Sequence, residues 1–378
     1  MKKYISVLMV SVCLVSVCLL CSSMISGCGK MKPMQEEGGK KQEETEKSQG
    51  NQNDEENGEG RETEAVLEFF AMDTFMRVSA YGEKEQAEAA VAAAREEVYR
   101  LENLLSTGLA TSEIGQANES GGGMVSADTV YLLKRAQQLY GQTMGAFDIT
   151  VYPLMQAWGF TEKEYRVPDA EEIEKLLEKT DAMQIMVDEE NGRVEFGMDG
   201  MQIDLGGITK GYTSARIMEI YKEAGIASGL VSLGGNVQAL GTKPDGTLWR
   251  IGLQHPDKEG YLGILQVRDK AVITSGGYER YFEQDGVRYH HILDPATGYP
   301  ARSGLISVTV VSADGALADG LSTSLFIMGK ERAVQFWREH ADVFDMVLYT
   351  EEGELYVTEG ISGDFSAEIP VNVIGREP

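Results

Sequence analysis

Between Gly29 and Glu62 the chain carries Glu, Lys, Gln, Gly, Asn and Ser and almost nothing apolar, and this decides where folding can begin. Such a segment cannot bury enough surface to offset the entropy of ordering it. It reads as a disordered acidic tether over 28–62, spanning roughly 30 Å as a random coil. Everything able to build a core lies beyond it, in residues 63–378, which is enough for one large domain or two medium ones.

Ahead of the tether, Lys2 and Lys3 precede a mainly apolar run from Ile5 to Leu20 and then Met24-Ile-Ser-Gly-Cys28. A charged start, a short apolar core and a small-residue cleavage site mark a secretory signal. The run is short for a full membrane span. Its ending on Cys resembles a bacterial lipobox, which implies a signal peptide over 1–27 and lipid on Cys28. That resemblance places the protein on the extracytoplasmic face of the cell membrane. Cys13, Cys18 and Cys21 then leave with the signal and only Cys28 remains. The mature chain is left with no disulfide, thiolate nucleophile or cysteine metal site. The net charge of -26 argues against nucleic acid, which needs clustered Lys and Arg. An anionic ligand must be held by local devices such as backbone N–H groups, a single lysine or a metal ion.

From Val66 onward, strand and helix patterns alternate. Leu67 to Tyr81 predicts an opening strand pair, and Val91, Ala94, Val98, Leu101 and Leu105 predict an amphipathic helix over Glu85–Leu105. Ser126 and Asp128 cap a second helix through Tyr140, and Asp169–Lys179 is a third. Asn191-Gly192 between two apolar runs signals a hairpin. Gln202–Leu205 predicts a strand feeding a helix from about Thr209 to Ala224. Strands follow over Gly229–Leu240, Trp249–Gln254, Ile264–Val267, Ala271–Thr274 and Ile306–Ser312, then a helix over Ala316–Met328. Hairpins stand where a doubly wound fold would have crossovers, so the fold class is α+β.

Four stretches carry polar groups suited to chemistry. In Asp204-Leu-Gly-Gly-Ile-Thr-Lys-Gly-Tyr212 paired glycines join a strand to a helix start, where free N–H groups receive an anion. Lys210 in the first turn opposes the helix dipole, which suits a lysine that meets a negative ligand. A tight turn with a solvated lysine fits the same letters. Asp148, between apolar residues of Gly145-Ala-Phe-Asp-Ile-Thr150, is either a buried acceptor or a ligand-binding group. Asp319 and Thr323 stand four apart at a helix start, on one face, which fits a hard cation such as Mg2+ or a plain N-cap. In Arg288-Tyr-His-His-Ile-Leu-Asp-Pro-Ala-Thr-Gly-Tyr-Pro300, strand alternation turns His290 and His291 to opposite faces before a turn.

Taken in order, "AMDTFM" at 71–76, "GAFDITVYPLMQAWGF" at 145–160, "DLGGITKGY" at 204–212, "HHILDPATGYP" at 290–300 and "ADGLSTSLFIMG" at 318–329 resemble the ApbE family of flavin transferases. The resemblance implies an ApbE-like, T-fold-like two-lobed body over 63–378 around a central cleft for FAD and Mg2+. It implies FAD contacts from Met72, Ala146, Phe147, Asp148, Asp204, Lys210 and Leu293. The metal would be held by the Gly207 carbonyl, Asp319, Ser322 and Thr323, an all-oxygen set that Mg2+ prefers. It further implies transfer of FMN from FAD to a threonine of an acceptor protein, a membrane redox-complex subunit or secreted flavoprotein, with AMP leaving and His291 as base. Water in place of the acceptor would make a FAD pyrophosphatase, and no reaction at all a flavin-binding lipoprotein. One departure stands out: family members often have an aromatic after "LST", where Leu105-Ser-Thr107 is here followed by Gly108.

Overall fold

The computed structural model describes residues 63–256 and 258–377. The signal peptide over 1–27, Cys28 and the tether over 28–62 lie outside the described residues. The opening pair is β1 (Thr63–Ala71) and β2 (Thr74–Gly82), in register from Thr63 opposite Gly82 to Ala71 opposite Thr74. Their two-residue turn holds Met72 and Asp73 at φ 48° and 58°, the left-handed region that tight hairpin turns require. The helical apolar spacing becomes α1 (Lys84–Leu105), which buries Val91, Ala94, Val98, Leu101 and Leu105.

A helix that apolar spacing does not announce follows, α2 (Glu113–Ser120), opened by the Ser112 side chain accepting the Gly115 N–H. Next come β3 (Gly122–Met124), α3 (Ala127–Gln142) with Ser126 as cap, the short α4 (Tyr152–Ala157), and α5 (Ala170–Leu177) capped by Asp169. The Asn191-Gly192 hairpin joins β4 (Ile185–Asp188) to β5 (Arg193–Phe196), and β3 completes a three-stranded sheet.

The expected strand over Gln202–Leu205 does not form. The Asn118 side chain accepts the Ile203 N–H at 2.7 Å and donates to the Ile203 carbonyl at 2.8 Å, while the Ile149 carbonyl takes the Asp204 N–H at 2.7 Å. With its backbone groups already satisfied by these partners, the segment joins no ladder. The helix behind it, α6 (Gly206–Glu223), begins three residues earlier than expected. Both glycines therefore sit inside its first turn, and Lys210 opens the second turn rather than standing in the first.

The apolar run over Gly229–Leu240 divides into β6 (Ser228–Leu233) and β7 (Asn236–Leu240), because Gly234 and Gly235 turn the chain at φ 61° and 96°. The strands β8 (Trp249–Gln254), β9 (Tyr261–Val267), β10 (Ala271–Gly276), β11 (Tyr281–Gln284), β12 (Val287–His290) and β13 (Leu305–Ser312) lead into α7 (Gly315–Met328). Beyond it lie α8 (Lys330–His340), β14 (Phe344–Thr350), β15 (Leu355–Thr358), α9 (Glu359–Ser362), β16 (Phe365–Ser366) and β17 (Val371–Ile374). The main sheet has nine strands in the order β1-β2-β6-β7-β10-β13-β14-β15-β17, antiparallel except for the last pair. Helices α1, α6 and α7 cover one face, and the small sheet β16-β9-β8 packs its apolar side on the middle of the other.

Helices α6 and α7 cross in backbone contact. A Cβ on Gly211 would lie 2.1 Å from the Gly315 carbonyl oxygen, and one on Gly315 would lie 2.4 Å from the Gly211 oxygen. No side chain fits at either position, and the close crossing lets the Gly211 N–H of α6 reach Asp319 of α7.

Candidate active site

A cavity of about 360 Å³ opens between the turns at Met72 and Gly234, the start of α6, the middle of α7 and the loop leaving β12. Met72, Ala146, Phe147, Asp148, Asp204, Gly207, Lys210, His291, Leu293, Asp319 and Thr323 all line it. Eleven residues spread over some 250 positions of sequence thus converge on one volume. Ser322 does not line it. Its fully buried hydroxyl donates to the Asp319 carbonyl at 2.8 Å and meets Ser275 Oγ at 2.8 Å, so it braces Ser275 from behind.

Asp319 is buried, and each of its oxygens has one donor. The Gly211 N–H reaches Oδ2 at 2.7 Å across the helix crossing, and Asn236 Nδ2 reaches Oδ1 at 3.0 Å from β7. A carboxylate has about four lone-pair sites, so acceptor capacity remains on the cavity side. Gly207, one helical turn before Gly211, also lines the cavity, and a carbonyl oxygen has two lone pairs, so one helical hydrogen bond leaves it a second acceptor site. Thr323 Oγ1 lies 3.1 Å from Ser275 Oγ, completing a group of hard oxygens beside the carboxylate.

The two histidines have different surroundings. His290 is the structural one: Nε2–H donates to the Ala301 carbonyl at 3.0 Å, Nδ1 accepts the Ile292 N–H at 3.3 Å, and the ring stands edge-on to Phe326. Strand β12 ends at His290, and His291 begins the loop. Its Nδ1–H donates to the Arg280 carbonyl at 3.2 Å, while the same carbonyl takes its backbone N–H at 3.0 Å. That bond selects the tautomer whose Nε2 carries the lone pair. Burial in the cleft pushes its pKa down to about 3, with Arg280, His290 and Lys210 adding to the effect against the Arg280 carbonyl bond. Trp158, Phe160 and Leu293 form a separate apolar cluster under this loop, and Trp158 Nε1–H anchors its turn by donating to the Gly298 carbonyl at 2.8 Å.

Charge in the cavity is lopsided. Asp73, Glu102, Asp148, Asp204, Glu279 and Asp319 line it against Lys210 and Arg280. Burial pushes Asp148 up to about 6 despite the Thr150 N–H and hydroxyl that cap onto it at 2.8 and 2.6 Å. Glu279 lines the cavity with its side chain still open to solvent, and the protein crowded around it pushes it up to about 7. Asp204 is raised by burial too, against the Gly206 N–H, Arg280 and Lys210. Arg280 donates through Nη2 to the Phe160 carbonyl at 2.7 Å, which holds its side chain along the wall.

Gly108 leaves no ring at the end of α1, and the apolar wall is made instead by Met72, Leu105, Met155 and Leu293 with Phe147. The Phe147 ring fits because position 207 is glycine, where a Cβ would lie 3.2 Å from it. Sequence reasoning missed Glu102, Asn236, Ser275, Glu279 and Arg280. Asn236, a polar residue behind a glycine pair and ahead of a strand, and Glu279-Arg280, charges just behind Gly276-Gly277, were the signals available. Glu102 accepts the Met72 N–H at 2.6 Å and so holds the turn of β1 and β2 at the cavity rim.

The pattern of the ApbE family matches residues 72–348. The chain is 35% identical over 266 residues to the FAD:protein FMN transferase of Klebsiella pneumoniae, covering 69% of this chain and 82% of that one. It is 33% identical over 301 residues to the protein of the same name from Treponema pallidum, covering 74% and 83%. Among solved structures, the ApbE protein of Thermotoga maritima superposes with a TM-score of 0.76 at 35% identity, over 80% of this chain and 99% of that one. The flavin transferase ApbE of Vibrio cholerae gives 0.72 at 28% identity, over 80% and 100%.

Proposed function

The chain belongs to the ApbE family and is an FAD:protein FMN transferase, and from that premise we propose how its own residues carry the transfer. The acceptor is a threonine hydroxyl. Its oxygen attacks the FMN-side phosphorus of FAD, the bond from that phosphorus to the AMP oxygen breaks, and AMP leaves. The hydroxyl proton passes to His291 Nε2. The observation that carries this reading is the Nδ1–H bond of His291 to the Arg280 carbonyl, which leaves Nε2 as the acceptor within the cavity that Lys210 and Asp319 line. In the free protein the imidazole is held neutral by burial and by the cations beside it. The pyrophosphate of FAD would offset Arg280 and Lys210 and so raise the basicity of Nε2 when substrate is present.

Phosphoryl transfer is mainly positioning and charge neutralisation. Six carboxylates against two cations repel a pyrophosphate, so the donor set fits a divalent cation shared with the substrate. The Gly207 carbonyl, Asp319 and Thr323 would hold Mg2+, with Ser275 and Ser322 bracing Thr323 and Asn236 and Gly211 orienting Asp319. Bound there, Mg2+ would neutralise charge on the pyrophosphate oxygens. Lys210 and Arg280 supply the remaining positive charge, while Met72, Leu105, Met155, Leu293 and Phe147 enclose the flavin. The lipobox ending at Cys28 supports anchoring outside the cytoplasm, where the acceptor would be a membrane redox subunit or a secreted flavoprotein. A Cys28→Ala chain found in the soluble fraction would accord with this anchoring, and one still membrane-bound would not.

Incubation with FAD, Mg2+ and a threonine-bearing acceptor tests the reading. Covalent in-gel flavin fluorescence is expected, lost on Thr→Ala in the acceptor and reduced at least a hundredfold by His291→Ala with FAD binding retained. Free FMN and AMP without labelled protein would mean that water is the nucleophile.

A further inference from the structure

Resting on the transferase reading, the acceptor protein must have a surface to lie on beside the cavity. Along β1, Leu67 and Phe69 turn toward α1, where Phe69 packs on Tyr99, and the alternate residues Glu64, Glu68 and Phe70 face outward. Phe70 is 66% exposed and Phe75, directly opposite it on β2, is 47% exposed. The next outward pair, Glu68 and Arg77, is closed by an ion pair of 2.6 Å. The sheet β16-β9-β8 that covers the middle of this face packs on other residues, and both rings stay largely or half open to solvent. Between the two phenylalanines stands only the four-residue span of Ala71 to Thr74, whose turn residues Met72 and Asp73 line the cavity.

Cross-strand aromatic pairs stabilise hairpins by a few tenths to about 1 kcal/mol, and a single exposed apolar side chain needs no explanation. Two facing phenylalanines flanking the turn that lines the cavity, in an enzyme that modifies proteins, are different. Exposed aromatic pairs next to a reaction centre are the kind of residue that anchors protein partners. We propose that Phe70 and Phe75 form the ledge on which the acceptor polypeptide rests while its hydroxyl residue enters the cavity. The pair lies about two strand residues, roughly 7 Å, from the turn. The occupant is therefore an extended acceptor segment with an aliphatic or aromatic side chain two to four residues from its threonine.

The test uses the full chain in a host strain lacking its own copy, with Phe70→Ser/Phe75→Ser compared to wild type and to Phe70→Leu/Phe75→Leu. Neither residue lines the cavity. Covalent flavin on host proteins, read by in-gel fluorescence at equal expression, is expected to fall at least tenfold in the serine variant and less than threefold in the leucine variant. The purified serine variant should bind FAD, and release FMN and AMP from it in water, within twofold of wild type. Unchanged protein labelling would overturn the proposal. So would a parallel loss of FAD binding, which would assign the rings to the substrate, or a loss of self-association without loss of labelling, which would assign them to a second copy. If wild type labels no host protein, the transferase reading itself fails and the ledge falls with it.

Discussion

Gly211→Ala tests whether the helix crossing is what sets the active-site carboxylate. The new Cβ would lie 2.1 Å from the Gly315 carbonyl oxygen and 2.6 Å from Asp319 Cβ. The first obstacle is backbone of α7 and cannot rotate away, so the helices must part by about 1 Å to restore a tolerable contact of roughly 3 Å. The Gly211 N–H to Asp319 Oδ2 bond, 2.7 Å in the native crossing, would then stretch past hydrogen-bonding range. Overpacking costs about 1–3 kcal/mol, and losing a bond to a carboxylate about 1.5–3 kcal/mol. The better helix propensity of alanine returns about 1 kcal/mol. The net loss is about 1.5–5 kcal/mol, or several degrees of melting temperature for a body of this size. A 1 Å misplacement of a positioned group also lowers turnover on the order of a hundredfold. Thermal melting by circular dichroism and FAD turnover measure the two effects. Gly141→Ala is the control, since nothing lies within 4 Å of a Cβ there, and it should stabilise α3 by roughly 0.5–1 kcal/mol. A Gly211→Ala protein with wild-type melting and turnover within twofold would refute the backbone contact between α6 and α7.

Three further outcomes are expected. Asn236→Asp sets a second carboxylate against buried Asp319 and should destabilise more than Asn236→Ala, with the difference shrinking from pH 8 to pH 5 as one of the pair takes up a proton; melting curves at the two pH values check this. Glu279, raised by burial, is protonated below about pH 7 and charged above it, so FAD affinity should weaken by up to tenfold per pH unit above neutrality. Titration of FAD fluorescence should lose that slope in Glu279→Gln, whose neighbours Lys210, Arg280 and Asp319 are unchanged. His291, lowered to about 3 in the free protein, predicts that kcat/KM holds steady from pH 7 to pH 5 while kcat falls at a higher pH, since bound pyrophosphate raises the imidazole; coincident acid limbs would count against His291 as the base.

Much of the fold was legible because local physics suffices for it. The spacing of Val91, Ala94, Val98, Leu101 and Leu105 required α1, and Ser126 and Asp169 cap the helices they precede. Asn191-Gly192 makes its hairpin for the φ its turn needs. The strand expected over Gln202–Leu205 failed for a nonlocal reason: Asn118, 85 positions from Ile203, supplies the hydrogen bonds that a ladder would have given. The start of α6 moved because Gly206 and Gly207, which read as a turn, fit equally well in a first helical turn, with Gly207 packed against Phe147.

At the site, the residue types and their order along the chain were determined by the sequence alone, whereas β12 ends at His290 and the Arg280 carbonyl is what holds His291 apart from it. What each group can do was decided only in three dimensions. Asp319 gains its two donors from residues 108 and 83 positions away, and His291 gains its tautomer from a carbonyl 11 positions back. Ser322, next in sequence to the cavity-lining Thr323, turns out to brace rather than face it. Hydrogen-bond direction and burial depend on which chain segments the packed core brings together, and no local pattern encodes that.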